Sequence, residues 1–222
     1  NTSVGLCSLT ANTTGASNIA VGKTALFDNT TGIRNVAVGH GSLANNTTSS
    51  NSQAIGYQAL QAQTTGCQNT AIGSASMYSS TTGNNNVAVG ISTLYNNTEG
   101  HGNVAMGCVA MGANTTGDYN VGIGYRALDA NTTADSNVAV GNQALSANTT
   151  GGQNVATGAC ALNANTTGAN NAAFGFCASA AGTTANLNTA IGNFALKASE
   201  AGCKNTAVGY QSMFDATTSE CN

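Results

Sequence analysis

The chain has 222 residues with five basic and eight acidic side chains, and its formal net charge is −3. So few charges exclude the highly charged composition of a disordered chain, and they provide no basic surface for binding nucleic acid. Apolar runs are only a few residues long, so we expect no membrane insertion by a transmembrane helix. No signal peptide is recognisable, which indicates either a processed chain or an internal segment of a longer one.

The sequence repeats every seventeen residues without an insertion. The consensus is N-(V/T)-A-(V/I)-G-x-x-(A/S)-L-x-x-N-T-T-G-x-x. We number the positions of each repeat from 1 to 17, and a column is the set of residues at one position in successive repeats. The thirteen complete repeats begin at Asn1, Asn18, Asn35, Ser52, Asn69, Asn86, Asn103, Asn120, Asn137, Asn154, Asn171, Asn188 and Asn205, and Asn222 opens a fourteenth. The unbroken register predicts a single repeat array over residues 1–222.

Each repeat contains, in chain order, the signals for two short strands and two turns. Positions 1 to 4, such as NVAV at 137–140, predict a strand that ends at the invariant glycine of position 5. Positions 8 to 10 predict a second strand, and Asn-Thr-Thr-Gly at positions 12 to 15 predicts a turn. The chain also lacks proline, which would remove hydrogen bonds from a sheet ladder. Together these signals predict an all-β fold, a parallel β-solenoid of thirteen seventeen-residue coils.

The columns differ sharply in size and polarity. Position 4 is mostly Val or Ile, and position 9 is Leu or Met except at Ser179. All charged residues lie in turn columns, outside positions 1 to 5, 8 and 9. We therefore predict that the columns at positions 4 and 9 point into the coil. Positions 3 and 8 are always small, which indicates either a thin coil with little interior room or a surface that another chain approaches closely.

Asparagine occupies position 1 in every repeat except the one that begins at Ser52. Such a column could bind a metal or a substrate, but stacked amides also bond along the axis of a sheet. We predict the second arrangement, an internal asparagine ladder. His40 and His101 lie in different columns about four coils apart, and the carboxylates are scattered over turns. The sequence therefore predicts a protein that is not an enzyme, with no catalytic or metal-binding residues and no cofactor.

Seven cysteines lie at positions 6, 7, 16 and 17. Cys160 and Cys177 share position 7 in consecutive coils, so their Cα atoms should lie about 4.8 Å apart, within disulfide range. Cys203 and Cys221 are one coil apart and offset by one position, and they form a second candidate pair. The remaining cysteines would pair with another chain or stay unpaired. Disulfides favour an oxidising, extracellular setting.

The Asn-Thr-Thr sequence is also an acceptor pattern for N-glycosylation. It occurs at position 12 in Asn12, Asn29, Asn46, Asn114, Asn131, Asn148 and Asn165. Asn45 and Asn96 match the same pattern one position earlier. Turn formation alone explains asparagine there, but a column of glycans would add solubility to a surface with little charge. Glycosylation is therefore a hypothesis that requires a eukaryotic secretory route.

The strand sequences NVAVG, NTAIG and NTAVG resemble the N-S-V-A-I-G motif of the head domains of trimeric autotransporter adhesins. The longer form with AL and NTTG is similar to repeats of phage and giant-virus fibre proteins. The resemblance covers all thirteen repeats. It implies left-handed parallel β-rolls that assemble as trimers and bind host matrix. The adhesin heads commonly have shorter coils, so the extra residues here would enlarge a turn.

These observations predict a structural segment of an extracellular fibre or filament, on a cell or virion surface, serving as a shaft or an adhesive head. Its expected partner is itself, as a homo-oligomer such as a trimer, and glycans or a host surface are further candidates. Neither terminal repeat has a polar cap, so we also expect further chain or head-to-tail stacking at both ends.

Two alternative functions remain open at this point. An ice-binding β-solenoid would use the threonine columns that begin at Thr13 and Thr14. A glycan-binding or glycan-cleaving viral fibre would place its site between chains. A thermal-hysteresis assay and a screen of polysaccharides would separate these functions from a structural one.

Overall fold

The computed structural model describes residues 1–198 and 202–215. Within these residues the regular elements are three-residue β-strands at positions 2 to 4, one in each repeat. The strands are β1 (Thr2–Val4), β2 (Ile19–Val21), β3 (Val36–Val38), β4 (Gln53–Ile55), β5 (Thr70–Ile72), β6 (Val87–Val89), β7 (Val104–Met106), β8 (Val121–Ile123), β9 (Val138–Val140), β10 (Val155–Thr157), β11 (Ala172–Phe174), β12 (Thr189–Ile191) and β13 (Thr206–Val208).

The chain divides into two compact units, Asn1–Thr116 with strands β1 to β7 and Gly117–Asn222 with strands β8 to β13. Within each unit, consecutive strands pair in parallel and in chain order. Each residue pairs with the residue seventeen positions later, as Val36 does with Gln53 and Ala139 with Ala156. The predicted parallel β-solenoid with a seventeen-residue period is therefore confirmed, and both units have the same coil.

The predicted second strand at positions 8 to 10 is wrong for the described part of the chain, because positions 6 to 11 form turns there. The backbone at positions 7 and 9 is left-handed, with φ of 54° at Gln143 and 53° at Leu145. An extended strand needs negative φ at both. The turn still bonds between coils, since the N–H of Leu145 donates to the carbonyl of Ala161 at 2.9 Å. Positions 6 to 11 thus extend the inter-coil ladder without becoming a strand.

The interior of the coil is narrower than the hydrophobic pattern suggests. The Leu or Met at position 9 is fully buried in the inner coils, as predicted, with Leu26 and Leu145 0% exposed. The position 4 prediction is wrong, because Ile55 and Ile72 are 40% and 38% exposed while Ala54 and Ala71 at position 3 are 0% exposed. The small side chains at positions 3 and 8 are also buried in the inner coils, which confirms the thin-coil interpretation of the alanine columns.

The invariant glycine at position 5 has a steric origin. Gly22 has a φ of 134°, a conformation that side-chain-bearing residues rarely adopt. A Cβ atom at Gly22 would also lie 2.5 Å from the carbonyl oxygen of Gly39 in the next coil. At this turn the backbone of one coil contacts the backbone of the next coil, and only glycine is small enough to fit there.

Candidate functional site

The asparagines at position 1 form a buried ladder between coils. The N–H of Asn35 donates to Oδ1 of Asn18 in the preceding coil at 2.9 Å. Nδ2 of Asn35 donates across its own coil to the carbonyl of Ser49 at position 15, at 2.8 Å. The same pair of bonds recurs at Asn137 and Asn154. The predicted bonding of this column along the axis is confirmed, and its amides are engaged in holding the coil.

A second ladder runs through position 12, where the sequence predicted only a turn or a glycan acceptor. Nδ2 of Asn148 donates to Oδ1 of Asn131 at 3.0 Å and to the carbonyl of Gly151 at 2.9 Å. Asn46 donates to Asn29 in the same way, at 2.7 Å. These side chains are fully buried. The sequence has no separate signal for this ladder, because an asparagine that forms a turn and one that also bonds to the next coil produce the same column.

Burial of this column corrects the glycosylation hypothesis. Except for the partly buried Asn12, the acceptor asparagines of position 12 are at most 1% exposed. The nitrogen that would carry the sugar is Nδ2, which donates the ladder bonds inside the coil. The folded coil therefore cannot present these asparagines to a glycosylating enzyme. Asn45 and Asn96, at position 11, are exposed.

The fourth repeat replaces both ladder asparagines at once, with Ser52 at position 1 and Gln63 at position 12. Nε2 of Gln63 donates to the hydroxyl of Ser52 at 3.0 Å, and its Oε1 accepts from Nδ2 of Asn69 at 2.9 Å. The longer side chain at position 12 thus fills the space that the shorter one at position 1 leaves. One ladder hydrogen bond is lost at this junction, because Oδ1 of Asn46 is buried and has no hydrogen-bond partner.

In each unit, the side chains at positions 2 and 4 of the strands form what we call the outer strand face of that unit. Because position 3 points inward, positions 2 and 4 point away from the coil. The face is mainly Val, Ile and Thr, and neither column contains a charged residue. Its larger side chains are well exposed, for example Ile72 at 38% and Ile191 at 42%. Each unit therefore has an apolar, uncharged stripe of β-branched side chains on its surface.

Position 6 follows the outer strand face in sequence and is also rich in large apolar side chains. Tyr57, Ile91, Tyr125 and Phe176 are all exposed there. Some of these rings contact neighbours in the next coil, as Phe176 does with Phe194 at a centroid distance of 5.2 Å. The exposed apolar surface is consequently wider than the two strand columns.

The cysteines that the structure describes form no disulfide. The thiols of Cys160 and Cys177 are nevertheless neighbours in consecutive coils, as their shared position predicted. Burial, and then the proximity of Cys160, raises the pKa of the Cys177 thiol. In the second candidate pair, Cys203 forms no disulfide with another described residue, and Cys221 lies outside the described residues.

Titratable groups in the described residues are dispersed. No group of three or more His, Cys, Asp or Glu side chains that could hold a metal ion occurs among them. The ion pair found there joins Nε of Arg126 to Oδ2 of Asp129 at 2.7 Å within one coil, and this hydrogen bond raises the pKa of Arg126. Nδ1 of His101 accepts the N–H of Asn84 at 3.0 Å, and His40 packs against Tyr57.

No helix in residues 1–198 and 202–215 is long and apolar enough to cross a membrane. The described coils thus define a parallel β-solenoid with two internal asparagine ladders and an apolar outer strand face. Comparisons of the chain with protein-family models, curated proteins and solved structures found no match.

Proposed function

We propose that this protein is a structural, non-enzymatic segment of an extracellular fibre or filament, acting as a shaft or an adhesive head. The observation that carries the proposal is that the recurring polar side chains serve the coil itself. Both amides of a typical repeat are buried and bonded to the neighbouring coil or across their own coil. A repeated ligand site would instead need polar groups directed outward.

The ladders explain how such a segment resists bending while its surface varies. Bonds along the axis come from the strand backbone, the left-handed turn and the two asparagine columns. The threonine hydroxyls of position 13 add bonds along the axis, while positions 6, 7, 10 and 11 contain charged and aromatic residues. Substitution in the turns therefore changes the surface without removing the ladders, which suits a scaffold that presents different surfaces to its surroundings.

The extracellular location rests on two further observations. The strand motif resembles that of adhesin heads and viral fibres, which are extracellular proteins. Cys160 and Cys177 are also neighbours in consecutive coils, and a disulfide between them, which the described residues do not contain, would be typical of an oxidising compartment.

The ice-binding alternative is weakened by the threonine contacts. The hydroxyls at position 13 donate to the backbone of the next coil, as Thr30 does to the carbonyl of Thr47 at 3.0 Å and Thr149 to that of Thr166 at 3.0 Å. Half of the proposed threonine surface is thus occupied by bonds within the protein. For the glycan-cleaving alternative, the neighbouring carboxylates of Asp118 and Asp135 serve the coil, because Oδ1 of Asp135 accepts the backbone N–H of Asp118 at 2.7 Å.

Immunogold electron microscopy of the source organism or virion tests the proposal. An antibody against the purified chain should label filaments or fibres at the outer surface, at many points along each one. Pre-absorption of the antibody with the purified chain is the control and should abolish the label. Label confined to the cytoplasm, or to non-fibrous particles, would contradict the proposed function.

A further inference from the structure

We infer that Tyr78 and Tyr95 are a site of oxidative cross-linking, where a one-electron oxidant joins the two phenol rings through a carbon–carbon bond. Both residues occupy position 10, in consecutive coils of the first unit. The inference goes beyond the proposed function and does not depend on it, because the site is complete within one chain.

The two rings are stacked on each other. Their centroids are 5.1 Å apart, and their planes differ by 5°. The backbone on either side holds them in register, because the N–H of Met77 donates to the carbonyl of Thr93 at 2.9 Å and the N–H of Ser79 donates to that of Tyr95 at 3.0 Å. The rings therefore remain adjacent for as long as these two coils are paired.

The tyrosine pair is accessible as well as ordered. Both side chains are half-buried, so neighbouring residues hold one side of each ring and solvent reaches the other. The residue after Tyr95 in the column is Gly112, which has no side chain to stack on the ring. A dissolved oxidant can thus reach the ring edges without unfolding the coil.

The hydroxyl groups are the part of the pair that packing does not require. Stacking needs only aromatic rings, and the chain has Phe27 and Phe214 at the same position of other coils. Phenylalanine therefore fits position 10, and a stacked pair of phenyl rings would have served packing alone. Only a phenol can lose an electron together with its hydroxyl proton and so become a phenoxyl radical.

The cross-linking step balances with hydrogen peroxide as the terminal oxidant of a haem peroxidase. Each phenol loses one electron and its hydroxyl proton, and the two radicals form a bond between ring carbons that lie ortho to the oxygens. Each ring then moves the hydrogen of its bonded carbon to its oxygen as a proton, which restores aromaticity. The two electrons and two protons released reduce one hydrogen peroxide to two water molecules.

Proximity makes the pair selective. Where other tyrosines of the described residues make ring contacts, the partners are not phenols. Tyr57 contacts His40, and Tyr210 contacts Phe194. Two groups held in one chain have an effective concentration on the order of millimolar, far above that of a dilute protein solution. Coupling within the chain should therefore precede coupling between chains.

The test treats the full chain, at low micromolar concentration, with a haem peroxidase and an equimolar amount of hydrogen peroxide. Tyr95→Phe keeps the ring and removes one phenol. Tyr119→Phe is the matched control, because Tyr119 is 68% exposed and its column has Gly102 and Ser136 in the adjoining coils. Dityrosine fluorescence is measured in the monomer band of a denaturing gel, peptide mass mapping locates the link, and circular dichroism reports the fold.

We expect the wild type and the control to give a fluorescent monomer band. Mapping should find the peptides of Tyr78 and Tyr95 joined with the loss of two hydrogen atoms. Tyr95→Phe should lower the fluorescence of the monomer band at least about tenfold, because no phenol remains beside Tyr78. Should this variant fail to fold, Tyr78→Phe replaces it.

Three results would overturn the inference. The first is a wild type that gives no dityrosine under conditions that oxidise free tyrosine. The second is dityrosine found only in bands of higher mass, or in a link that omits Tyr78 or Tyr95. The third is a folded Tyr95→Phe variant with the monomer fluorescence of the wild type.

Discussion

Asn165 shows how a single side chain maintains or interrupts the inner ladder. Its Nδ2 donates to Oδ1 of Asn148 at 2.9 Å, but its own Oδ1 is buried without a hydrogen-bond partner. The next residue in the column is Gly182, which has no side-chain amide that could donate a hydrogen bond to Asn165. A buried acceptor without a donor costs roughly 1–3 kcal/mol.

Restoring asparagine at this place should therefore stabilise the protein. We expect Gly182→Asn to raise the free energy of unfolding by about 1–2 kcal/mol, because the new Nδ2 would reach Oδ1 of Asn165. Urea unfolding followed by circular dichroism measures the effect. Gly182→Ala is the control for the loss of glycine flexibility in the unfolded chain. Equal stabilisation by Ala and Asn would show that the ladder bond contributes nothing.

The strand has its alanine inside the coil and its larger aliphatic residues outside, opposite to the arrangement expected from the sequence. This orientation gives a second prediction for single residues. Leu145 is fully buried, whereas Val140 in the same coil is partly exposed. Leu145→Ala should lower the free energy of unfolding by about 2–5 kcal/mol, and Val140→Ala should change it by no more than about 0.5 kcal/mol. Thermal unfolding at a concentration where the chain is monomeric makes the comparison. A large loss at Val140 and a small one at Leu145 would contradict the orientation of the strand.

At the scale of one coil, the fourth repeat shows that ladder positions change together. Ser52 and Gln63 are in direct contact, and Gln63 also holds Asn69 of the next coil. Asparagine at position 52 alone would be too long to fit beside Gln63, and asparagine at position 63 alone would be too short to reach Ser52. Asparagine at both positions would rebuild both ladders and provide a donor for Oδ1 of Asn46.

We expect Ser52→Asn and Gln63→Asn to destabilise the protein singly, and the double variant to be at least as stable as the wild type. Residues in one hydrogen-bond network commonly have a coupling energy of about 0.5–3 kcal/mol. A double-mutant cycle by urea denaturation measures that energy. Additive effects of the two substitutions would mean that the fourth repeat has no compensating pair.

The pairing of two adjacent coils can also be tested through Cys160 and Cys177. Treatment of the native protein with a disulfide oxidant should link them, and peptide mass mapping should find the cross-linked peptide. Since the pKa of Cys177 is raised from its ordinary value of 9.0, the reactive thiolate is scarce at neutral pH and oxidation should accelerate as the pH rises. Closing a seventeen-residue loop should stabilise the chain by about 3 kcal/mol.

The exposed Cys7 provides the comparison within the same chain, because it lies in the same column without a cysteine in the next coil. It should be alkylated readily and should form no link within its own chain. Recovery of Cys160 and Cys177 only as alkylated thiols after oxidant treatment at alkaline pH would contradict the prediction.

For the whole molecule, the bonds between coils are almost entirely between neutral groups. An ion pair in the described part of the chain, Arg126 with Asp129, lies at the surface and within one coil. Surface pairs of this kind contribute about 0–1 kcal/mol and are screened by salt. We therefore expect high NaCl to change the free energy of unfolding of the monomeric chain by less than about 1 kcal/mol. Urea denaturation at low and high salt checks this, and a steep loss of stability in salt would indicate that ionic contacts hold the coils.

Sequence reasoning succeeded where one repeated observation had a single physical cause. The glycine at position 5 recurs because the backbone of the next coil leaves no room for a side chain, and the asparagine at position 1 recurs because its amide bonds both to the next coil and across its own coil. Sequence reasoning failed at position 12, because an asparagine that forms a turn cannot be distinguished in the sequence from one that also bonds to the next coil. It also failed at positions 8 to 10, where a buried leucine suggested a strand although its backbone is left-handed.

The sequence by itself determined the period, the parallel register, the leucine column of the core and the exclusion of charge from the strands. All four depend on a pattern that repeats thirteen times and needs no knowledge of distance. Only the tertiary structure decided which face of the strand is inside. Alternation places Val140 opposite Ala139 but does not say which of them the coil encloses. The coil encloses the alanine because Leu145 and two asparagine ladders already fill its narrow interior, and the bulky aliphatic column is left on the surface.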